Sequence, residues 1–237
     1  MTAGPEPRVI AIAGAAGGLG PAVAERLAEE GHTLALTDRH EEPLRQLCAD
    51  LDLPPERHDE CMVDFLDEEA TNTWARHLAG RFGVVDSLLH LVGGWRGGEP
   101  LATAPLEDYE FLHDLLVRTL QHTTRAFRDQ LAASERGRFV LVSSSQAQNP
   151  EGTNASYAAA KAAAESWTLA LADDLAGTGA TANILVINAI LTPKMRLESP
   201  EKEFPTFTTA EQIADGIAFI LAEGADRMNG KRLSLHS

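Results

Sequence analysis

The sequence predicts an α/β protein in which one doubly wound parallel sheet is covered by helices on both faces. Short runs rich in Val, Ile, Leu and Ala alternate with longer helical stretches along the chain, as in sheets built from strand–helix–strand units. The first apolar run leads directly into a glycine-rich turn and a helix. The 237 residues contain no internal repeat and no interdomain linker, so we expect one domain over residues 1–237.

The predicted strands are short apolar runs bounded by turn residues. Residues 8–13 (RVIAIA) are apolar enough for a strand that is buried on both faces, and residues 33–37 (TLALT) form the second strand. Further strands are expected at residues 59–63, 87–92, 138–143, 181–188 and 231–235.

The predicted helices carry apolar residues at helical spacing. Residues 18–30 place Val23, Leu27 and Ala28 on one face. The next helix, residues 41–51, is followed by Pro54 and Pro55, which break helices. The remaining helices are expected at residues 67–82, 106–133, 154–176 and 209–223.

The composition argues against several classes of function. The net charge is −15 and the pI about 4.9, so no basic surface is available for nucleic acid or an anionic membrane. Cys48 and Cys61 form no CxxC pair, and no His/Cys/Asp cluster has metal-ligand spacing, so we expect no metal site. The N-terminal MTAGPEPR lacks a signal-peptide pattern, and no apolar run approaches the ~20 residues of a membrane span. We therefore expect a cytoplasmic protein.

A glycine-rich loop follows the first strand. Gly14, Gly18 and Gly20 let the backbone turn sharply and approach a pyrophosphate closely. At Leu19 the chain enters a helix whose N-terminal amides face the phosphates. A tight turn alone would also use glycines, but a strand before the loop and a helix after it are the context of a dinucleotide site. The spacing Gly-x-x-x-Gly-x-Gly resembles that of short-chain dehydrogenases/reductases, which implies a Rossmann-like fold.

Two residues at the end of the second strand bear on the cofactor. The Asp38 carboxylate can accept hydrogen bonds from both hydroxyls of an adenosine ribose and would repel a 2′-phosphate, which favours NAD(H). Arg39 could instead hold that phosphate, so NADP(H) stays possible. Asp38 would also suit a helix cap before Glu41.

Tyr157 and Lys161 lie four residues apart near the start of a helical run, so phenol and ammonium share one face. We expect the lysine charge to lower the pKa of the Tyr157 phenol, which would make it an acid/base near neutral pH. Alone, a YxxxK pattern usually means a solvated lysine beside an amphipathic tyrosine. The resemblance to short-chain dehydrogenases implies that Ser144, thirteen residues earlier, polarises a substrate carbonyl, whereas three serines after a strand could be only a polar loop.

The same resemblance implies further cofactor contacts. Lys161 would also hold the nicotinamide ribose. Asp64 and the Phe65 backbone would meet the adenine, although Asp64 also suits a turn or cap. Val92 and Gly93 would lie beside the cofactor, and Thr192 would contact its nicotinamide side.

Three positions depart from the family pattern. His90-Leu91-Val92-Gly93 stands where Asn-Asn-Ala-Gly is expected, and Leu116 takes the place of the catalytic asparagine. No Pro-Gly pair follows the sixth predicted strand, residues 181–188. Because that asparagine holds a water that connects the lysine to solvent in the family, the proton route to Lys161 must differ here.

Two short segments bear on the predicted substrate pocket. Loop residues 93–98 (GGWRGG) and the Thr-Pro-x-Met-Arg stretch resemble dihydropteridine reductases over these two short segments. Trp95 could form a flat wall for a ring-shaped substrate or a lid over the core. Arg96 could pair with a substrate carboxylate or be a solvated residue at the rim. His90 is expected to be a packed strand residue. The predicted pocket residues are Trp95, Ser145, Gln146, Asn154 and Met195. Residues 191–208, rich in proline and charge, are expected to form a flap.

Together these features predict hydride transfer between NAD(H) and a small-molecule ketone or secondary alcohol. A non-catalytic dinucleotide-binding sensor or scaffold is one alternative, motivated by Leu116. An enzyme that dehydrates or isomerises its substrate with Tyr157 as base is another. The apolar faces of the helices at 106–133 and 154–176 form an interface in relatives of the family, so a homodimer or homotetramer is expected.

Overall fold

The computed structural model describes residues 6–225 and 227–235. The prediction that the chain has no signal peptide rests partly on the first five residues, which lie outside this range. The strands are β1 (Val9–Ala13), β2 (Thr33–Asp38), β3 (His58–Met62), β4 (Ser87–His90), β5 (Arg138–Ser144), β6 (Thr181–Ile187), β7 (Ala189–Leu191), β8 (Phe207–Thr209) and β9 (Arg232–Ser234). The helices are α1 (Gly20–Glu29), α2 (Glu41–Leu51), α3 (Glu68–Phe82), α4 (Leu106–His113), α5 (Thr119–Ala133), α6 (Ala155–Asp174), α7 (Pro193–Glu198) and α8 (Ala210–Leu221).

Seven strands form one sheet in the order β3-β2-β1-β4-β5-β6-β9, and every neighbouring pair is parallel. The strand order reverses between β1 and β4, and in doubly wound sheets ligands bind outside the carboxyl ends of the strands at such a switch point. The predicted fold class is therefore confirmed, and the sheet has the switch point at which the sequence predicts a site.

Helices cover both faces of this sheet because each presents one apolar stripe to it. On one face α1, α2 and α8 bury residues such as Val23, Leu27 and Ile217. On the other face α3, α5 and α6 pack around Trp74, whose ring centroid lies 4.9 Å from that of Phe127. Two apolar layers enclosing the strands explain why β1 and β6 are apolar along nearly their whole length.

Two features of the fold differ from the sequence prediction. β7 and β8 form a separate two-stranded parallel ladder; at three residues each they are too short for a periodicity to identify. The long helix expected at residues 106–133 is interrupted by a π-helical turn, Asp114–Arg118, between α4 and α5. π turns are frequent at functional sites, and this one contains Leu116.

Among the described residues, no helix has the length and apolar character needed to cross a membrane.

Candidate active site

A cavity of about 1090 Å³ opens at the carboxyl ends of the strands. Most of the site residues predicted from the sequence line it: Gly14, Gly18, Leu19, Asp38, Arg39, Asp64, Phe65, Val92, Gly93, Trp95, Ser144, Gln146, Tyr157, Lys161 and Met195. Their convergence follows from topology, because the carboxyl ends of parallel strands meet at one edge.

The glycine loop is held against β2 by its backbone. Gly14 and Ala15 both donate to the carbonyl oxygen of Thr37, at 3.0 and 2.9 Å. Gly14 has φ +82°, and a Cβ there would lie 2.9 Å from the Val92 nitrogen, so a larger residue is excluded by both conformation and space. At Gly18 a Cβ would meet only the Thr192 Cγ2 atom, at 3.2 Å. The loop therefore leaves an open cradle beside Gly18 for a bulky polar group.

Asp38 fastens this loop to the end of β2. Its Oδ2 atom accepts from the Ala16 N–H at 3.2 Å, and its Oδ1 atom accepts from the His40 N–H at 3.0 Å. The side chain is nearly buried, whereas Arg39 beside it is exposed. Asp38 precedes His40, the N-cap of α2, so its carboxylate orders both the turn before the helix and the cavity wall.

Asp64 and Phe65 form the wall beyond β3. Asp64 Oδ1 accepts from the Leu66 N–H at 3.0 Å, so the interpretation of Asp64 as a turn residue is confirmed, while the residue also lines the cavity. The Phe65 ring packs 5.7 Å from the Trp74 ring centroid, which directs the side chain into the core and leaves its backbone near the site.

Strand β5 and helix α6 bring together the three residues predicted to act on the substrate. Ser144 ends β5, and its hydroxyl lies close enough to the Tyr157 phenol to lower the pKa of that phenol. Its Oγ atom also accepts from the Gln146 N–H at 3.3 Å. One helical turn after the tyrosine, Lys161 Nζ donates to the Val142 carbonyl oxygen at 3.0 Å and lies 5.9 Å from the Tyr157 ring centroid.

The protonation chemistry of this group corrects the sequence prediction. Burial raises the pKa of the Tyr157 phenol, and the Ser144 hydrogen bond offsets only part of that rise, so the prediction of a phenol pKa lowered by Lys161 was wrong for this structure. Burial also lowers the pKa of Lys161 to about 8, against the opposing influence of the Glu165 carboxylate. The physical reason is desolvation, which disfavours both charged forms when a site is buried in apolar surroundings.

The π turn places Leu116 and Thr119 beside this group. Leu116 is buried in a small cluster with Leu112 and Ala160, so the position of the family asparagine is apolar here. Thr119 Oγ1 donates to the Leu115 carbonyl oxygen at 2.6 Å and lines the cavity. The Thr119 hydroxyl is thereby held by a backbone carbonyl of the irregular turn.

His90 lies behind the cavity wall. It is 1 % exposed, as expected for a packed strand residue, and its ring nitrogens lie 3.1 Å from Thr123 Oγ1 and 3.4 Å from Thr119 Oγ1. Burial, and secondarily the charge of Lys161, lower the pKa of His90 to about 3. The imidazole is therefore neutral near pH 7.

Four predicted residues lie outside the cavity lining. Gly20 belongs to the packing of α1, because a Cβ there would overlap the Ala15 carbonyl oxygen. Ser145 donates to Asn188 Oδ1 at 3.2 Å. Asn154 is buried at the N-cap of α6, and Thr192 Oγ1 caps α7 by accepting from the Met195 N–H at 3.2 Å. These residues shape the elements around the site.

Several lining residues escaped sequence reasoning, among them Phe111, Asp114, Leu115 and Phe207. They come from α4, the π turn and β8, for which the sequence carries no site motif. Phe111 has a further role, since the Arg96 guanidinium lies 3.6 Å from its ring centroid and donates to Asp108 Oδ1 at 3.1 Å. Arg96 is therefore held at the rim by two side chains of α4.

Comparison with known proteins places the chain in a family. Residues 8–203 match the family model described as short chain dehydrogenase. Sulfoacetaldehyde reductase 2 of Chromohalobacter salexigens is 30% identical over 172 residues, which cover 72% of this chain and 68% of that protein.

Solved structures share the fold. The NADPH-bound short chain oxidoreductase of Pseudomonas aeruginosa PAO1, described as containing an atypical catalytic center, has a TM-score of 0.86 at 23% identity and covers 95% of this chain and 94% of its own. NAD⁺-bound xylitol dehydrogenase has a TM-score of 0.83 at 22% identity and covers 97% of both chains. With the family match spanning most of its length, this chain belongs to the short chain dehydrogenase family and is an oxidoreductase of that family.

Proposed function

We propose that the protein transfers a hydride between NAD(H) and a ketone or secondary alcohol, and that Ser144, Tyr157 and Lys161 handle the accompanying proton. The observation that carries this proposal is that Ser144, Tyr157 and Lys161 line one cavity, with the Ser144 hydroxyl close enough to the Tyr157 phenol to lower its pKa. A carbonyl oxygen placed near both hydroxyls would have one donor to polarise it and one acid to protonate it.

The residues present fit a dinucleotide. The cradle beside Gly18 would be filled by a Cβ, and it lies at the entry to α1, whose first amides favour a pyrophosphate. Asp38 would accept from the adenosine ribose, and Lys161 would hold the nicotinamide ribose. When bound, the cofactor supplies or accepts the hydride at the carbonyl carbon.

In the reducing direction the proton work falls to the protein. Ser144 polarises the carbonyl, and Tyr157 transfers its phenolic proton to the oxygen as negative charge develops there. Because burial raises the pKa of Tyr157, the phenol is protonated and ready to donate at neutral pH. The resulting tyrosinate is stabilised by the Ser144 hydroxyl. In the oxidising direction Tyr157 acts as the base.

The preference for NAD(H) rests on charge. Asp38 places a carboxylate where a 2′-phosphate would lie, and the loop positions Ala16 and Gly17 offer no basic side chain. Arg39 and His40 also line this end of the described cavity, and Arg39 carries the fixed positive charge that could hold a 2′-phosphate. Structures of this fold hold NADPH in one case and NAD⁺ in another, so the choice depends on such local residues rather than on the fold.

Two further features support the substrate side of the proposal. Met195 and Phe207 line the cavity and belong to residues 191–208, which we propose act as a flap over the substrate. Apolar side chains remain exposed on α4 and α6, including Leu106 at 81 % and Leu169 at 40 %, and a homodimer or homotetramer would cover them. Size-exclusion chromatography with light scattering measures the oligomeric state.

The experiment for the activity is a panel of ketones and aldehydes assayed with NADH at 340 nm, with wild type and Tyr157→Phe compared. Removal of the acid should reduce turnover by roughly 10²–10⁴-fold, while NADH binding, followed by fluorescence, stays intact. Tyr109→Phe is the matched control, because Tyr109 is the other tyrosine of the chain and lies outside the cavity lining. Undiminished turnover in Tyr157→Phe would reject the proposal. Substrate conversion without a change at 340 nm would instead indicate dehydration or isomerisation.

A further inference from the structure

A cluster of three potential metal ligands lies at the edge of the sheet. β3 is an edge strand, and residues along a strand point alternately to its two faces. His58 and Glu60 share one face, and their ligand atoms lie within 4.8 Å of each other and of the Cys48 Sγ atom on α2. The sequence predicted no metal site, because the positions 48, 58 and 60 match no ligand spacing; the pairing of β3 with β2 and the docking of α2 bring them together.

The opposite face of β3 carries an acidic residue that is paired with basic side chains. Asp59 accepts from Arg81 Nη1 at 2.7 Å and lies 2.9 Å from His77 Nε2. On the Cys48 face, Glu60 has no ion pair among the described residues, and His58 Nε2 is buried without a hydrogen-bond partner there. Buried ring nitrogens are rarely left without a partner, so the His58 imidazole has binding capacity that the described groups do not use.

We propose that Cys48, His58 and Glu60 bind a transition-metal ion of the Zn²⁺ class. Thiolate sulfur, imidazole nitrogen and carboxylate oxygen are the zinc donors of proteins, with bonds of about 2.0–2.3 Å. Tetrahedral ligands are then roughly 3.5 Å apart, whereas the ligand atoms here lie within 4.8 Å of one another. The cluster therefore needs to close by up to about 1.3 Å, and the exposed Glu60 side chain can supply that movement. Water completes the coordination.

Metal binding at this site requires the Cys48 thiol to lose its proton. Burial and the neighbouring Glu60 carboxylate raise the pKa of Cys48 to about 12, so without a metal ion the sulfur keeps its proton. Metal binding releases that proton to solvent and puts a dication beside Glu60. Hard cations such as Mg²⁺ prefer sites made only of oxygen ligands, so the cluster discriminates against them.

The site is separate from the active-site cavity. His58 begins β3 opposite Leu34, whereas Met62 at the other end of the strand pairs with Asp38, the residue that lines the cavity. A metal ion there would tie α2 to an edge strand. We therefore assign it to stability rather than to chemistry.

Co²⁺ is the direct probe, because a cobalt–thiolate bond gives a charge-transfer absorption in the near ultraviolet and four-coordinate Co²⁺ gives intense visible bands. Titration of the purified full chain should saturate at one Co²⁺ per chain, and Zn²⁺ should displace it. Cys48→Ser should abolish the charge-transfer band. Cys61→Ser is the matched control, since Cys61 is the other cysteine of the chain and lies on the opposite face of β3; it should keep the band.

Two further measurements make the outcome decisive. Glu60→Gln changes an exposed residue, so the fold is retained, and it should weaken Co²⁺ binding at least about tenfold. Zn²⁺ should raise the Tm of the wild type, with no such rise in His58→Gln. Absence of a thiolate band, a band that survives in Cys48→Ser, or equal losses in the two cysteine variants would overturn the proposal.

Discussion

Lys161 donates from Nζ to the carbonyl oxygen of Val142 at 3.0 Å, and this bond holds the ammonium 5.9 Å from the ring centroid of Tyr157. The lysine is 7 % exposed, and burial lowers its pKa to about 8 from an ordinary value of 10.5. Because burial of a charged lysine lowers the stability of the folded protein, we expect Lys161 to be retained for activity rather than for stability.

Lys161→Met should therefore stabilise the protein at pH 7 while abolishing turnover. The unfolded state binds the lysine proton more tightly than the folded state, so the penalty is present in full below pH 8 and disappears as the pH rises towards 10.5. The expected gain at pH 7 is on the order of 3 kcal/mol. Denaturant unfolding at pH 7 and pH 10 measures it, with the exposed Lys231→Met as control. A variant less stable than wild type at both pH values would contradict this prediction.

His90 should make the protein sensitive to acid. Its folded pKa of about 3 lies below the ordinary 6.5, so stability is complete above pH 6.5 and falls as the pH drops through this interval towards 3, by about 1.4 kcal/mol per pH unit. His90→Asn should flatten the profile of unfolding free energy between pH 6 and 4. Some slope remains, because burial also lowers the pKa of His32. The control is His113→Asn, which changes a partly exposed histidine. If the unfolding free energy of wild type and His90→Asn fell equally steeply with pH, this prediction would be wrong.

Two glycines of the same loop should respond differently to alanine. In Gly20→Ala the new methyl would overlap the backbone of Ala15, so we expect a loss of about 1–3 kcal/mol in stability from overpacking. In Gly18→Ala the methyl meets only the end of the Thr192 side chain. That variant should fold with near-native Tm but bind NADH at least about tenfold more weakly, because the methyl fills the pyrophosphate cradle. Thermal unfolding and NADH fluorescence titration separate the two effects. If Gly18→Ala bound NADH with native affinity, the assignment of the pyrophosphate to the space beside Gly18 would be wrong.

The role of Asp38 in cofactor choice is tested by Asp38→Asn. The amide keeps an oxygen that can accept from the Ala16 N–H, so the loop stays ordered while the charge is lost. The ratio of kcat/KM for NADPH to that for NADH should rise at least tenfold, about 1.4 kcal/mol, because repulsion of a 2′-phosphate is removed. Asp38→Ala, which also removes the acceptor, should weaken both cofactors. If wild type already prefers NADPH, or if Asp38→Asn leaves the ratio unchanged, the charge argument for NAD(H) fails.

The sequence alone determined the order of strands and helices along the chain and the glycine-rich loop after β1. These features are local: β1 and α1 are defined by apolar periodicity, and the loop between them by glycines at fixed spacing. Tyr157 and Lys161 were predicted from their spacing within one helix, and Ser144 from the resemblance to short-chain dehydrogenases. The structure moves most predicted boundaries by only one or two residues.

The tertiary structure decided what depends on burial and on distant partners. Desolvation, which the pattern of residues 157–161 cannot show, reversed the expected shift in the Tyr157 pKa. The π turn around Leu116 and the ladder of β7 with β8 are too short to leave a periodic signal. Cys48 meets His58 and Glu60 only because α2 folds back over the edge of the sheet. Spacing along the chain identifies residues that act within one element, whereas packing determines which remote side chains meet and how strongly each holds its proton.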